Sequence, residues 1–165
     1  MDASNLRALS VKQWRALALS GQAVPVRIRV NGSSMHPLIR GWRDYVTIVP
    51  IDRPPRAGDI VLFPGKRLGV DYVLHRVWKV EGQYMLTLGD GCLHPDAWMD
   101  IHDAWGRVMR IERGRLVIDP DRPLWRATAL LWMSLYPIRR WLFLPRRAYC
   151  IVKRIGIKKV KKNQL

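Results

Sequence analysis

Three short segments of the chain carry side chains suited to acyl transfer. The first is Asn31-Gly32-Ser33-Ser34-Met35-His36-Pro37. A serine hydroxyl is a poor nucleophile until a base takes its proton, so it must sit where a base can reach it. Gly32 permits a tight turn, Pro37 stiffens the exit, and backbone N–H groups in such a turn can hold an oxyanion. The second segment is Asp71–Val80, in which His75 interrupts a run of Val, Tyr and Trp. An imidazole titrates near neutrality and can accept a serine proton. The third is Thr87-Leu88-Gly89-Asp90, followed by Asp96. A carboxylate against an imidazole fixes its tautomer and stabilises the imidazolium formed during attack. Each segment also has a plainer reading: an ordinary Gly-Ser turn, a structural histidine, and a Gly89-Asp90-Gly91 turn with Asp96 as a helix cap.

Taken together, the segments resemble the signal peptidase I and LexA-like superfamily of serine peptidases. NGSSMHPLI resembles its serine box and AGDIVLF its Gly-Asp-x-Val strand. LHRV resembles the His-Arg box of the endoplasmic-reticulum and archaeal type of signal peptidase. TLGDGCLHPD resembles the following Gly-Asp box with a second Asp six residues on, and GRVMRI the closing strand. The resemblance runs from about Val26 to Ile111. It implies Ser34 as nucleophile, His75 as base, Asp96 as third member and Asp90 as the acid of the Gly-Asp box. Gly32 and Ser33 then support the oxyanion, and the fold is β-rich. The implied activity is serine endopeptidase cleavage of a precursor or leader peptide, with no metal or organic cofactor. Leu88 replaces the family's Lys, and Gly41-Trp42-Arg43-Asp44 blurs its Gly-Asp after the serine box.

Two other chemistries are weaker. Cys92, His94, Asp96 and His102 cluster in sequence, but their spacing matches no close zinc-ligand pair. Lys66, the alternative base, lies in a Pro-Gly-Lys-Arg turn that reads as exposed, where a lysine stays protonated at neutral pH.

The elements needed to position these groups are strands. Val24, Val26, Ile28 and Val30 alternate with Pro25, Arg27 and Arg29, the two-residue period of a half-buried strand. Strand-like runs follow at Tyr45–Val49, Asp59–Phe63, Asp71–Val80, Tyr84–Thr87, Gly106–Ile111 and Arg115–Ile118, separated by Gly and Pro turn formers. The expected fold is mainly β, a small antiparallel barrel-like or folded sheet. The expected division is an N-terminal helix over 1–22, a β-rich peptidase domain over 23–120 and a basic, aromatic helical tail over 121–165. In the first helix Leu6, Leu9, Trp14, Leu17 and Leu19 are the expected buried residues.

Charge separates the tail from the body. The chain has 165 residues and a net charge of +16. Arg122–Leu165 holds twelve basic and no acidic residues, leaving residues 1–121 with 17 basic against 13 acidic. The longest uncharged run, Ala127–Ile138, is twelve residues, shorter than the roughly 20 a membrane span needs. A basic amphipathic segment on an anionic membrane surface fits better, with Trp125, Trp132 and Trp141 as interfacial anchors. Packing of these helices on the body or on a partner is the plainer alternative. Residues 1–20 read as amphipathic rather than as a secretory signal, and Cys92 and Cys150 as free thiols in a reducing compartment. These features place the expected enzyme peripherally on a membrane, on its cytoplasmic side. A nucleic-acid or peptide binder on a degenerate peptidase fold is the competing reading. No nucleic-acid motif supports it, and Leu124–Leu144 is apolar for that task.

Overall fold

The computed structural model describes residues 11–22, 24–65 and 70–139. Residues 1–133 form one compact unit and 134–165 another. The expected Leu6 and Leu9 of the first helix, the candidate base Lys66 and the tail beyond residue 139 lie outside the described residues.

The first unit is a mainly antiparallel β structure with a helix near its start and another after the last strand. In chain order the elements are α1 (Val11–Leu19), β1 (Val26–Arg29), β2 (Tyr45–Pro50), β3 (Ile60–Pro64), β4 (Tyr72–Glu81), β5 (Tyr84–Leu88), β6 (Met99–Asp100), a 3-10 turn at Ile101–Asp103, β7 (Gly106–Arg113), β8 (Leu116–Ile118) and α2 (Pro123–Ser134). The eight strands form one sheet in the order β1-β2-β7-β3-β4-β5-β6, with β8 also pairing β7. The sheet is not closed into a barrel: β1 and β6 stand at the two ends of this order. The strand at Met99–Asp100 has no period to betray it, because it is only two residues long. Pro123 opens α2, where its missing N–H costs nothing.

Two apolar clusters use opposite faces of β3. Ile60 and Leu62 join Trp14, Val30, Met35, Ile39, Val46, Ile48, Val108 and Ile111 in the larger one. Val61 and Phe63 join Val73, Val77, Met85 and Ala104 in the smaller one. A strand buried on both faces loses the alternating pattern, which is why IVLF reads as a continuous apolar run. In α1, Trp14 is the anchor. Its side chain is buried and its indole N–H donates to the Val24 carbonyl at 2.8 Å. Leu19, expected to be buried, is 79% exposed, since the helix ends there and the chain turns away at Ser20–Gly21.

Helix α2 is tied to the sheet by ion pairs around Asp59, the acid of the AGDIVLF segment. Asp59 accepts from Arg53 at 2.6 Å, from the Arg56 amide at 2.9 Å and from Arg126 of α2 at 3.0 Å. Burial alone would raise the Asp59 pKa, but these three donors outweigh it and hold the carboxyl below its ordinary value. Trp125 packs against the larger cluster, and the Trp132 indole N–H donates to the Asp90 carbonyl at 2.9 Å. Of the three tryptophans expected to anchor at a membrane interface, Trp125 and Trp132 are part-buried with these contacts to the body, and Trp141 lies outside the described residues. Among the described residues no helix is long and apolar enough to cross a membrane.

Candidate active site

Ser34 lies in the loop over residues 31–44 that joins β1 to β2. The loop is closed at its base by Val30 N–H to the Asp44 carbonyl (3.1 Å) and Trp42 N–H to the Val30 carbonyl (2.7 Å). Gly32 sits at φ +82°, in the left-handed region that costs a glycine nothing, and its carbonyl occupies the space where Gly41 would otherwise carry a Cβ. Met35 and Ile39 are buried in the larger cluster and anchor the loop. This leaves Ser33 exposed and Ser34 half-buried.

The far end of the loop is held by Asp44, which is fully buried. Its carboxylate accepts from Arg113 of β7 at 2.6 Å and from the Arg40 amide at 2.8 Å, while Arg113 also donates to the Leu38 carbonyl at 2.8 Å. Desolvation pushes the Asp44 pKa up, but the Arg113 and Arg40 donors together bring it down. In sequence this acid merely closes the Gly41-Trp42-Arg43-Asp44 segment. In the structure it clamps the loop that carries the serine.

His75 lies on β4, opposite Val61 in the register with β3. Its Nδ1 is 2.7 Å from Asp96 Oδ2, and both side chains are largely buried. The same Asp96 oxygen accepts from the Thr87 hydroxyl at 2.7 Å, and the Asp96 amide donates to the Thr87 carbonyl at 2.8 Å. Thr87, fully buried on β5, therefore orients the Asp96 carboxylate that in turn orients the His75 imidazole. The sequence marks Thr87 only as the last residue of a strand. Burial lowers the His75 pKa, but Asp96 at Nδ1 and the nearby Cys92 outweigh it and raise the pKa to about 9. The Phe63 ring stands edge-on to the imidazole, with centroids 6.1 Å apart.

Asp90 is not brought to the imidazole. Its two carboxylate oxygens each accept from Arg76, both at 2.8 Å, and Arg76 also donates to the Gly58 carbonyl at 2.8 Å. Alternation along β4 puts Arg76 on the face opposite His75, so the pair acts below the site rather than in it. Asp90 and Arg76 are each 1% exposed. Removing one member of a buried pair leaves the other charge uncompensated. Asp90→Ala is expected to lower the unfolding free energy by about 3–5 kcal/mol. Urea denaturation checks this, and a loss under about 1 kcal/mol would show the pair to be dispensable.

The serine loop rests on Gly89–Gly91 through backbone atoms. Gly91 N–H donates to the Ser34 carbonyl at 2.7 Å. A Cβ at Gly91 would lie 2.8 Å from the Ser33 carbonyl oxygen and 3.0 Å from that of His36. A Cβ at Gly89 would lie 2.6 Å from the Ser34 carbonyl oxygen, 2.7 Å from Cys92 Sγ and 3.0 Å from His75 Nε2. Ser34, Cys92 and the imidazole therefore converge on one point, left open by the missing side chain. Among the described residues no hydrogen bond joins the Ser34 hydroxyl to Nε2, and the Cys92 thiol is the side-chain partner beside His75 in addition to Asp96. Loose nucleophile–base contacts that tighten with substrate are common in unliganded sites.

Gly89 and Gly91 read as turn formers in the sequence, but what they provide is close approach. Gly89→Ala is expected to push the Ser34 segment off His75, destabilising the fold by about 1–3 kcal/mol. Labelling of Ser34 by a fluorophosphonate probe should then fall far more than thermal stability does. Equal labelling rates in both chains would show that the approach is not required.

His94 and His102 are exposed, and among the described residues no three His, Cys, Asp or Glu side chains meet in an arrangement that could hold a metal ion. Compared with known proteins, the chain matches no family model, no curated protein and no solved structure.

Proposed function

We propose that the chain is a serine endopeptidase of signal-peptidase-like type that cuts a precursor or leader peptide. The observation that carries this reading is the His75–Asp96 pair, buried and braced by Thr87, with the Ser34 segment held beside Nε2 by the Gly91–Ser34 hydrogen bond. In the proposed reaction the Ser34 hydroxyl attacks a peptide carbonyl while His75 takes its proton. Asp96 holds the resulting imidazolium, and the Ser33 and Ser34 amides face the oxyanion. His75 returns the proton to the leaving amine, which departs. Water deprotonated by His75 then releases the acyl group.

The cationic segment 122–165 supports a peripheral position on an anionic membrane, on the cytoplasmic side. On α2, Leu124 and Leu131 lie seven residues apart on one face and are 82% and 63% exposed. This apolar stripe is of the kind an interface accepts.

The test is covalent labelling with a fluorophosphonate probe in wild type, Ser34→Ala, His75→Ala and Lys66→Ala. Labelling is expected in wild type and Lys66→Ala and is expected to vanish in the other two. Loss in Lys66→Ala with retention in His75→Ala would move the base to the lysine. Equal labelling of wild type and Ser34→Ala would remove the serine assignment altogether.

A further inference from the structure

The Nε2 side of His75 holds a group that the acyl-transfer steps do not use. The turn over residues 89–92, closed by Cys92 N–H to the Gly89 carbonyl at 2.9 Å, folds the Cys92 thiol back toward the imidazole. Sγ lies 3.9 Å from the Ser34 carbonyl oxygen, and Sγ, that oxygen and Nε2 all fall within 3.0 Å of the point where a Gly89 Cβ would stand. Cys92 is a free, half-buried thiol. It is therefore embedded in the Ser34, His75 and Asp96 constellation.

An imidazole has one Nε2, which engages one strong partner at a time. The Cys92 thiol stands beside it, and the Ser34 hydroxyl must reach the same nitrogen for the acyl transfer proposed above. We propose that Cys92 is a positioning residue of this site: its thiol holds His75 Nε2 in the resting enzyme, and capping of that thiol by a thiol-specific electrophile closes the serine site. The proposal rests on the reading of Ser34 and His75 given above. The space explains the capping. Sγ, the Ser34 carbonyl oxygen and Nε2 already crowd within 3.0 Å of one point, so a group added to Sγ on that side meets the Ser34 segment or the imidazole.

With methyl methanethiosulfonate as the probe, the Cys92 sulfur attacks the reagent's methylthio sulfur. A new S–S bond forms, the reagent's S–S bond breaks, and methanesulfinate leaves with the thiol proton passing to solvent. Dithiothreitol restores the thiol by disulfide exchange. Among the described residues the titratable groups against the His75 ring are Asp96 at Nδ1 and Cys92. Arg76 and Asp90 pair with each other on the opposite face of β4.

The experiment uses the full chain carrying Cys150→Ser, so that Cys92 is its sole thiol. His75 is titrated by NMR in this chain and in the same chain with Cys92→Ser or Cys92→Ala, the two variants guarding against a folding defect in either. Loss of the thiol is expected to lower the His75 midpoint by about one pH unit. Methylthiolation, verified by mass, is expected to abolish fluorophosphonate labelling of Ser34, and dithiothreitol to restore it. The Cys92 variants should be labelled equally before and after treatment. An unmoved His75 midpoint in both variants, or labelling that survives complete methylthiolation, overturns the proposal. The NMR arm needs no peptidase activity. If His75 responds to Cys92 while no chain is ever labelled, the thiol–imidazole contact stands and the serine reading fails, taking the capping step with it.

Discussion

Ser34→Ala is expected to reduce peptide turnover by about 10⁶-fold while leaving the fold intact. The expectation about folding comes from which atoms of Ser34 are used. The loop is attached to Gly91 through the Ser34 carbonyl, and its anchors are Met35, Ile39 and Asp44. None of these contacts involves the Ser34 hydroxyl, so alanine keeps them all. The turnover loss follows because, in the proposed reaction, the hydroxyl oxygen is the atom that forms the acyl bond. His75→Ala should cost nearly as much, and the double variant scarcely more than either, because nucleophile and base act as one unit. The assay is cleavage of a peptide that wild type selects from a mixed peptide library, with urea denaturation as the folding control. Turnover above about 1% of wild type in a folded Ser34→Ala chain would remove Ser34 from the chemistry.

Asp96→Asn is expected to lower turnover by about 10⁴-fold and to move its pH dependence toward acid. His75 must be neutral to accept the serine proton. With its pKa raised to about 9, kcat/KM of the wild type should climb with pH until about 9. An asparagine cannot hold the imidazolium, and burial then favours the neutral ring. The limb should therefore fall below 9 even as the plateau drops.

Stability carries the same signature. A histidine whose folded pKa lies above its unfolded value of 6.5 stabilises the fold fully below 6.5, and that contribution is lost as pH rises through 9. Wild type should therefore lose stability between pH 6.5 and 9, and Asp96→Asn should show little of that decline. A pH–rate limb and a stability profile identical in the two chains would show that Asp96 does not act on His75.

Much of this architecture is legible in one dimension. The alternation in Val26–Arg29 and Tyr45–Pro50 is local, because successive strand side chains point to opposite faces whatever the partner strand is. Gly and Pro mark the breaks for equally local reasons, and Pro123 opens α2 where its fixed φ and missing donor are harmless. The residue types of Ser34, His75 and Asp96 are likewise visible, and the chain brings the last two together across 21 positions at 2.7 Å.

What the tertiary structure decided is who pairs with whom. Asp90 and Asp96 are both acids after a Gly-rich turn, and nothing local tells them apart. Only the opposite facing of His75 and Arg76 on β4 sends Asp96 to the imidazole and Asp90 to the guanidinium. Asp44 finds Arg113 across 69 positions. Gly89 and Gly91 look like flexible turn residues, yet they matter because the serine loop, more than 50 positions earlier, packs where their side chains would be. Cys92 reads as an isolated thiol until that same packing sets it beside His75. Periodicity and turn chemistry are properties of neighbours in sequence, whereas an ion pair, a close approach or a shared imidazole is a property of neighbours in space.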